Sequence, residues 1–199
     1  MGTNVILDIM GSIIIGGILM ITLFRISDRA TESTYNKTGD LTIQQNIASV
    51  VRTLEYDFRK IGYCADWTQI PNPSKSIIFA KSDGIKFLTD VDRDGKVDTM
   101  YYYTGPVSEL IYTANPRDRI LYRVVNNEKP VKVNLGVTQF DLVYYNVDKE
   151  IIPTPVSVLG EIYTIQISVA VEDIEAYDQK YSQVFWRQIR LVAKNLRNR

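Results

Sequence analysis

The hydrophobic pattern of the chain begins with an unbroken apolar run. Residues Val5 to Phe24 include a single ionisable side chain, Asp8. Because an α-helix rises about 1.5 Å per residue, a run of this length measures about 30 Å, the thickness of the hydrocarbon core of a bilayer. Only Met1 to Asn4 precede the run and none of them is basic, which is not typical of a cleaved signal peptide. We therefore predict that residues 1–24 form a retained helix that spans the membrane once.

Small residues and one acid within this run predict contacts between helices. Gly11, Gly16 and Gly17 reduce side-chain bulk, which lets helix backbones approach closely in an apolar medium. A carboxylate in lipid costs on the order of 3 kcal/mol unless it has a partner. We therefore interpret Asp8 as the partner of the N-terminal amine of a neighbouring subunit, and we assign Asp8 and the three glycines to assembly. Two alternatives are an ordinary single anchor and an Asp8 that stays hydrated at the membrane surface.

A second helical pattern follows a polar segment. Residues Arg25 to Asp40 are mostly polar, and Gly39 lowers helix stability by about 1 kcal/mol relative to alanine, so we expect a locally weak helical neck. Gly62 supplies a stop signal. Residues 25–62 are therefore predicted to be a neck followed by an amphipathic helix, whose buried stripe recurs at steps of three and four: Ile43, Ile47, Val50, Val51, Leu54, Phe58 and Ile61.

The period of the pattern then changes to that of strands, within a globular head domain predicted over residues 63–199. Asp83-Gly84 between the first two strands is a strong hairpin signal. The apolar face of the later strands is the surface that the helical stripe requires. We predict an α+β fold, a long N-terminal helix packed on an antiparallel sheet, with strands rich in β-branched and aromatic residues: Ser76–Ala80, Ile85–Leu88, Thr99–Thr104, Ile120–Val125, Val131–Asn134, Phe140–Val147, Tyr163–Val171 and Gln183–Val192.

Composition narrows the function. The 23 Lys and Arg residues balance 23 Asp and Glu residues, so no overall positive charge attracts nucleic acid, and we expect no nucleic-acid partner. The chain has no His, which excludes a histidine triad, and its single Cys excludes an intrachain disulfide and a cysteine-cluster zinc site. Cys64 lies beside Tyr63 and Trp67, and we interpret it as a buried thiol. We predict that the chain is not an enzyme.

Two further patterns leave alternatives open. The clusters Tyr101–Tyr103 and Tyr144–Tyr145 are predicted to fill a sheet face, the alternative being that they stack sugars or bases. A basic tail is interpreted as a solvated or acid-facing edge, and a DNA-binding tip is its weaker alternative. The tail comprises Arg187, Arg190, Lys194, Arg197 and Arg199.

One motif of the head domain carries recognisable chemistry. Residues Asp90 to Asp98 read DVDRDGKVD between two predicted strands. Alternate Asp residues followed by Gly are the first half of a calcium loop, in which carboxylates and one backbone carbonyl surround a hard cation. The alternative is a polar turn whose Asp side chains accept backbone N–H groups. Tyr101 stands where an EF-hand has its bidentate Glu, so the motif is a candidate structural Ca²⁺ site outside that family, with ligands Asp90, Asp92, Asp94, Asp98 and the carbonyl of Lys96.

Together these residues resemble the type IV pilin superfamily, in particular PilW-like minor pilins and the J-type minor pseudopilin of type II secretion. The resemblance covers most of the chain. It depends on the acid-bearing apolar helix, on DFRKIGY at Asp57–Tyr63 and on the strand–DVDRDGKVD–strand block. The late strand YTIQISVAV at Tyr163–Val171 and the ending KNLRNR at Lys194–Arg199 add to it. Asp8 stands one position later than the early Glu of the family, counted from Gly2, and no basic leader precedes it.

The resemblance implies a structural subunit that waits in the inner membrane and enters a helical filament of pilin-like subunits at the cell surface. It also implies an N-terminus that faces the cytoplasm. Arg25 and Arg29 favour the opposite orientation by the positive-inside rule. The alternative function is a membrane-anchored extracytoplasmic binding or adhesion domain that uses the tyrosine-rich sheet.

Overall fold

A computed structural model describes the backbone of residues 2–133, 136–172 and 183–192, and the side chains of residues 5–35, 37–133 and 136–172. The chain divides into two compact units, Met1–Leu41 and Thr42–Arg199. The first unit is helical. The second contains the end of the same helix together with all of the described strands.

The long helix α1 extends without interruption over Gly2–Arg59. The neck predicted to be weak at Gly39 is helical throughout. Helix α1 ends two residues before Ile61, where the chain enters a turn, and Gly62 adopts a positive φ of 72°. The N–H of Gly62 donates to the carbonyl of Leu88 at 2.9 Å, and a Cβ at this position would lie 3.0 Å from the Ser76 hydroxyl oxygen. The turn therefore requires glycine, which confirms the predicted stop.

The strands of the second unit form two antiparallel sheets, although the sequence predicts one. The first sheet has the order β1-β2-β3-β4-β5 and the second has the order β7-β6-β8-β9. The predicted strands are all present, with bounds that move by up to three residues, and β7 was not predicted. The strands are β1 Ile77–Ala80, β2 Gly84–Thr89, β3 Asp98–Thr104, β4 Leu121–Val125, β5 Val131–Val133, β6 Val137–Tyr145, β7 Ile151–Ile152, β8 Thr164–Glu172 and β9 Gln183–Val192.

The core of the second unit lies between the end of α1 and the inner faces of both sheets. The predicted helical stripe is buried except at Val51, which is partly buried, and Val50, Leu54 and Phe58 are at most 1 % exposed. The Phe58 ring lies 5.6 Å from the rings of both Phe87 and Tyr102, measured between centroids. Since the stripe and the sheets bury each other, the α+β architecture predicted from the two periodicities is confirmed.

Alternation along the strands decides which side chains reach this core. In β3 the side chain of Tyr102 is fully buried, whereas those of Tyr101 and Tyr103 are only partly buried. Tyr144 in β6 is also fully buried, and its hydroxyl donates to the carbonyl of Lys81 at 2.8 Å. Tyr102 and Tyr144 thus fill the inner face as predicted, and the outer face of the first sheet carries the other tyrosines of β3.

Candidate functional site

The apolar run of α1 is exposed along its whole described length. Every large apolar side chain from Val5 to Phe24 is between 55 % and 68 % exposed. Among the described residues one helix is long and apolar enough to cross a membrane, by length and composition, and it is this one. Within the described part of the chain, the first unit therefore presents an exposed apolar surface.

The predicted assembly residues occupy defined positions on this helix. At about 100° of turn per residue, Asp8, Ser12 and Gly16 lie on one face, whereas Gly17 lies on the opposite side from Asp8. The Ser12 hydroxyl donates to the backbone carbonyl of Asp8 at 2.8 Å. A Cβ at Gly11, Gly16 or Gly17 would meet no atom within 4 Å. Nothing within the described chain therefore requires glycine at these three positions.

The hairpin of β2 and β3 brings three of the predicted metal ligands together. Thr89 and Asp98 pair across the hairpin, which closes the connecting loop at its base. Asp90, Asp92 and Asp98 each place a carboxylate oxygen so that all three lie within 4.8 Å of one another. Asp90 is buried, Asp98 is partly buried and Asp92 is exposed. The loop therefore concentrates three carboxylates at one point, as a hard cation requires.

Asp90 is also held by the backbone. Its carboxylate accepts the N–H groups of Ala65, Arg93 and Gly95 at 3.0, 2.6 and 3.1 Å. Burial would raise the pKa of Asp90, but these backbone hydrogen bonds outweigh it and lower the pKa below its usual value. Gly95 has a positive φ of 83°, which suits glycine. Asp90 is therefore a charged anchor of the loop independently of any cation.

The Asp94 and Asp98 carboxylates of the predicted site are hydrogen-bonded to residues other than those that hold Asp90. The Asp94 carboxylate lies outside the group of three and forms an ion pair with the Lys96 ammonium at 2.8 Å. It also accepts the N–H of Lys96 at 2.8 Å. Asp98 accepts the N–H of Val91 at 2.9 Å and the side-chain amide of Asn126 at 2.7 Å. The loop thus has the hydrogen bonds of a polar turn and also a cluster of three carboxylates that could hold a metal ion.

Two residues near the end of α1, Asp57 and Lys60, make contacts that the sequence did not predict and that tie the helix to the first sheet and its loop. The Lys60 ammonium donates to the Val91 carbonyl at 2.9 Å and lies 4.3 Å from the centroid of the Tyr56 ring. Asp57 is 1 % exposed and accepts the Tyr102 hydroxyl at 2.5 Å and the Arg123 Nε at 2.6 Å. Burial, followed by the charge of Asp57, raises the pKa of Tyr102 well above its usual value. These groups fix the end of α1 against β3 and β4.

The remaining candidate residues are the thiol and the basic tail. Cys64 is buried as predicted, and burial raises the pKa of its thiol, which disfavours the thiolate needed for nucleophilic attack. Lys194, Arg197 and Arg199 lie outside the described residues, as do the side chains of Arg187 and Arg190.

Comparison with known proteins gives no match: no family model, no curated protein and no solved structure matches the chain. The class is therefore defined by architecture. The protein is an α+β chain whose long N-terminal helix carries an exposed membrane-length apolar run and packs, over its later residues, on antiparallel sheets. This is the architecture that the pilin resemblance implies.

Proposed function

We propose that the protein is a structural, non-enzymatic subunit of a type IV pilus-like or type II secretion-like filament. One observation carries the proposal. A single uninterrupted helix supplies the buried stripe of the second unit and, in its earlier residues, an exposed apolar run that contains an acid and three glycines. The run is the surface through which neighbouring subunits bundle, and their helices cover it.

The glycines and Asp8 favour a helix bundle over a simple anchor. Glycine in a helix costs about 1 kcal/mol relative to alanine, and no contact within the described chain offsets that cost at Gly11, Gly16 or Gly17. Close approach of a second helix offsets it. Lipid and neighbouring helices shelter apolar surface equally well, so close packing and the pairing of Asp8 with a neighbour's N-terminal amine provide the selectivity.

The proposed localisation follows from the same helix. Before assembly the protein is a single-pass protein of the inner (cytoplasmic) membrane, and after assembly it belongs to an extracellular filament. Its partners are other pilin-like subunits, either copies of itself or different chains. Interfaces of this kind are heterologous and extend into open helical filaments when the rotation between neighbours does not close.

The test is substitution of the acid in the apolar run. Asp8→Ala should leave folding and membrane insertion intact and lower incorporation into filaments about tenfold, the effect of losing about 1.4 kcal/mol of pairing energy. The matched control is Asp28→Ala, which removes an exposed acid of the same helix beyond the run. Incorporation is measured as the ratio of the subunit in sheared filaments to that in membranes. Equal ratios for Asp8→Ala, Asp28→Ala and the unaltered chain would refute the pairing.

We also propose that Asp90, Asp92 and Asp98 hold a structural Ca²⁺. Asp92 distinguishes this proposal from a simple turn, because it is exposed and, among the hydrogen bonds of the described residues, its carboxylate accepts only the N–H of Asp94, at 3.1 Å. Calcium should raise the melting temperature of the unaltered chain, and Asp92→Ala should abolish that increase while changing the metal-free stability little. A melting temperature that is the same with calcium and with chelator would reduce the loop to a turn.

A further inference from the structure

The outer face of the first sheet carries a continuous row of aromatic rings, formed by Phe79, Tyr101, Tyr103 and Tyr122 and here called the aromatic row. The centroid of the Tyr103 ring lies 4.7 Å from that of Tyr101 and 4.9 Å from that of Tyr122, with interplanar angles of 25° and 20°. The Phe79 ring meets Tyr101 edge-on at 6.3 Å. Tyr103 and Tyr122 are also directly paired between β3 and β4.

Lysines flank this row at both ends and along one side. The Lys81 ammonium lies 5.1 Å from the centroid of the Phe79 ring. Lys132 pairs with Tyr122 across β4 and β5, and Lys86 pairs with Tyr101 across β2 and β3. Directly paired residues of antiparallel strands point to the same side of a sheet, so Lys86 and Lys132 share the outer face with the tyrosines, and Lys81 lies beside that face through its contact with Phe79. None of the three forms an ion pair with a residue that the structure describes.

Two tyrosines of the row, Tyr101 and Tyr122, hold their phenolic protons more tightly than a free tyrosine. Burial, followed by the neighbouring Tyr103 and Asp83, raises the pKa of Tyr101. The hydrogen bond to Glu109 raises the pKa of Tyr122 to about 12, and its hydroxyl donates to that carboxylate at 2.5 Å. Asp83 and Glu109 are acids that act on these two tyrosines. The Glu109 carboxylate already accepts the Tyr122 hydroxyl, and the three lysines have no acidic partner among the described residues.

The geometry of the rings restricts what can bind. Because the tyrosine rings are stacked on one another, the faces between them are already covered, and they have little free face for the bases of a nucleic acid. Ring edges are the positive part of the aromatic quadrupole. Phenolic hydroxyls, ring edges and ammonium groups all favour oxygen atoms that carry negative charge.

We propose that this face binds an acidic polysaccharide. Its carboxylates pair with Lys81, Lys86 and Lys132, and its hydroxyls bond to the phenols of Tyr101 and Tyr103. Charge complementarity selects an anionic ligand. From β2 to β5 the lysines are separated by three strand spacings, about 14 Å, which an extended polymer can span and a single small anion cannot. The binding is independent of filament assembly, so the two proposals can fail separately.

The test measures binding of the full chain in detergent to sodium alginate, a linear polyuronate, with dextran as a neutral polymer and single-stranded DNA as a different polyanion. The variant Lys86→Gln/Lys132→Gln removes two charges from the face. Its matched control, Lys75→Gln/Lys149→Gln, removes two charges from exposed lysines outside the row. Thermal melting of each variant confirms that it is folded. Tyr103→Phe keeps the ring and removes only the hydroxyl.

We expect the unaltered chain and the control variant to bind alginate alike. Lys86→Gln/Lys132→Gln should bind at least about tenfold more weakly, and Tyr103→Phe should show a smaller loss. Equal loss in the control variant would mean that charge acts without a site, and equal binding of dextran would mean that the lysines are not used. Tighter binding of DNA than of alginate would assign the face to nucleic acid. Each of these three results overturns the proposal.

Discussion

Two buried aspartates, Asp57 and Asp90, show how single residues of this protein carry charge in its interior. Both are at most 1 % exposed. Asp57 is held by the Arg123 guanidinium and the Tyr102 hydroxyl, while Asp90 is held mainly by backbone N–H groups. A buried charge is tolerated only when its hydrogen-bond partners replace water. Removal of either aspartate would therefore leave the groups that donate to it buried without their acceptor.

Removal of Asp57 should therefore destabilise the second unit strongly. Asp57→Ala removes the buried carboxylate to which both Arg123 and the Tyr102 hydroxyl donate, and the expected loss is about 3 kcal/mol. Denaturant unfolding of the full chain measures it. The control is Glu55→Ala, two residues earlier on α1, where the side chain is only partly buried. A loss below about 1 kcal/mol for Asp57→Ala would show that the cluster contributes no more than a surface ion pair.

Tyr102 gives the protein a predicted sensitivity to alkali. Above a pH of about 10 the unfolded chain releases the phenolic proton, whereas folded Tyr102 retains it because burial and Asp57 raise its pKa. The folded state then binds more protons, so stability falls as the pH rises, by up to about 1.4 kcal/mol per pH unit for this group. In Tyr102→Phe the decline between pH 10 and 12 should be shallower. An unchanged slope would contradict the assignment.

The sequence did not predict the Asp57 cluster, although it did predict the acids of the loop. Asp90 to Asp98 are close in sequence, so their spacing predicts that carboxylates meet in one loop, and the structure brings Asp90, Asp92 and Asp98 together but not Asp94. Asp57 finds Arg123 across 66 positions, and that pairing depends on the register of α1 against β4. The one available signal was an acid at the edge of an otherwise apolar helical stripe, next to Phe58.

At the scale of secondary-structure elements, the hydrophobic periodicities predicted the long helix and the strands, but they did not predict which strands pair with each other. The stripe from Ile43 to Ile61 is buried apart from partly buried Val51, and each predicted strand is present. The division into two sheets was not predicted, because a period of two marks a strand and its faces but not its neighbours. Strand β7 was missed because two residues are too short for a pattern.

The stripe yields a prediction for the helix as an element. Leu54 is 1 % exposed and belongs to the face of α1 that packs in the core. Leu54→Ala should therefore lower the free energy of unfolding by about 3 kcal/mol, through lost burial and the cavity left behind. Leu41→Ala, on the same helix but at a residue 60 % exposed, should cost less than about 1 kcal/mol. Thermal unfolding of both variants makes the comparison. Equal losses would mean that the stripe is not the core.

At the scale of the whole molecule, one unbroken helix belongs to both compact units. Its later residues are part of the core of the second unit, and its earlier residues form the exposed apolar surface of the first unit. A chain that only needs an anchor has no use for an acid and three glycines in that surface. The filament proposal accounts for them, and it accounts for the exposure of the apolar side chains that the structure describes in this run.

The most direct test of the filament proposal is mass spectrometry of the N-terminal peptide from filaments sheared off cells that express the protein, compared with washed membranes from the same cells. We predict that the peptide is present in the sheared filaments, and its mass will show which residue carries the amine that pairs with Asp8. Detection only in membranes, from cells in which filaments are abundant, would contradict the filament proposal and identify the protein as an anchored binding domain.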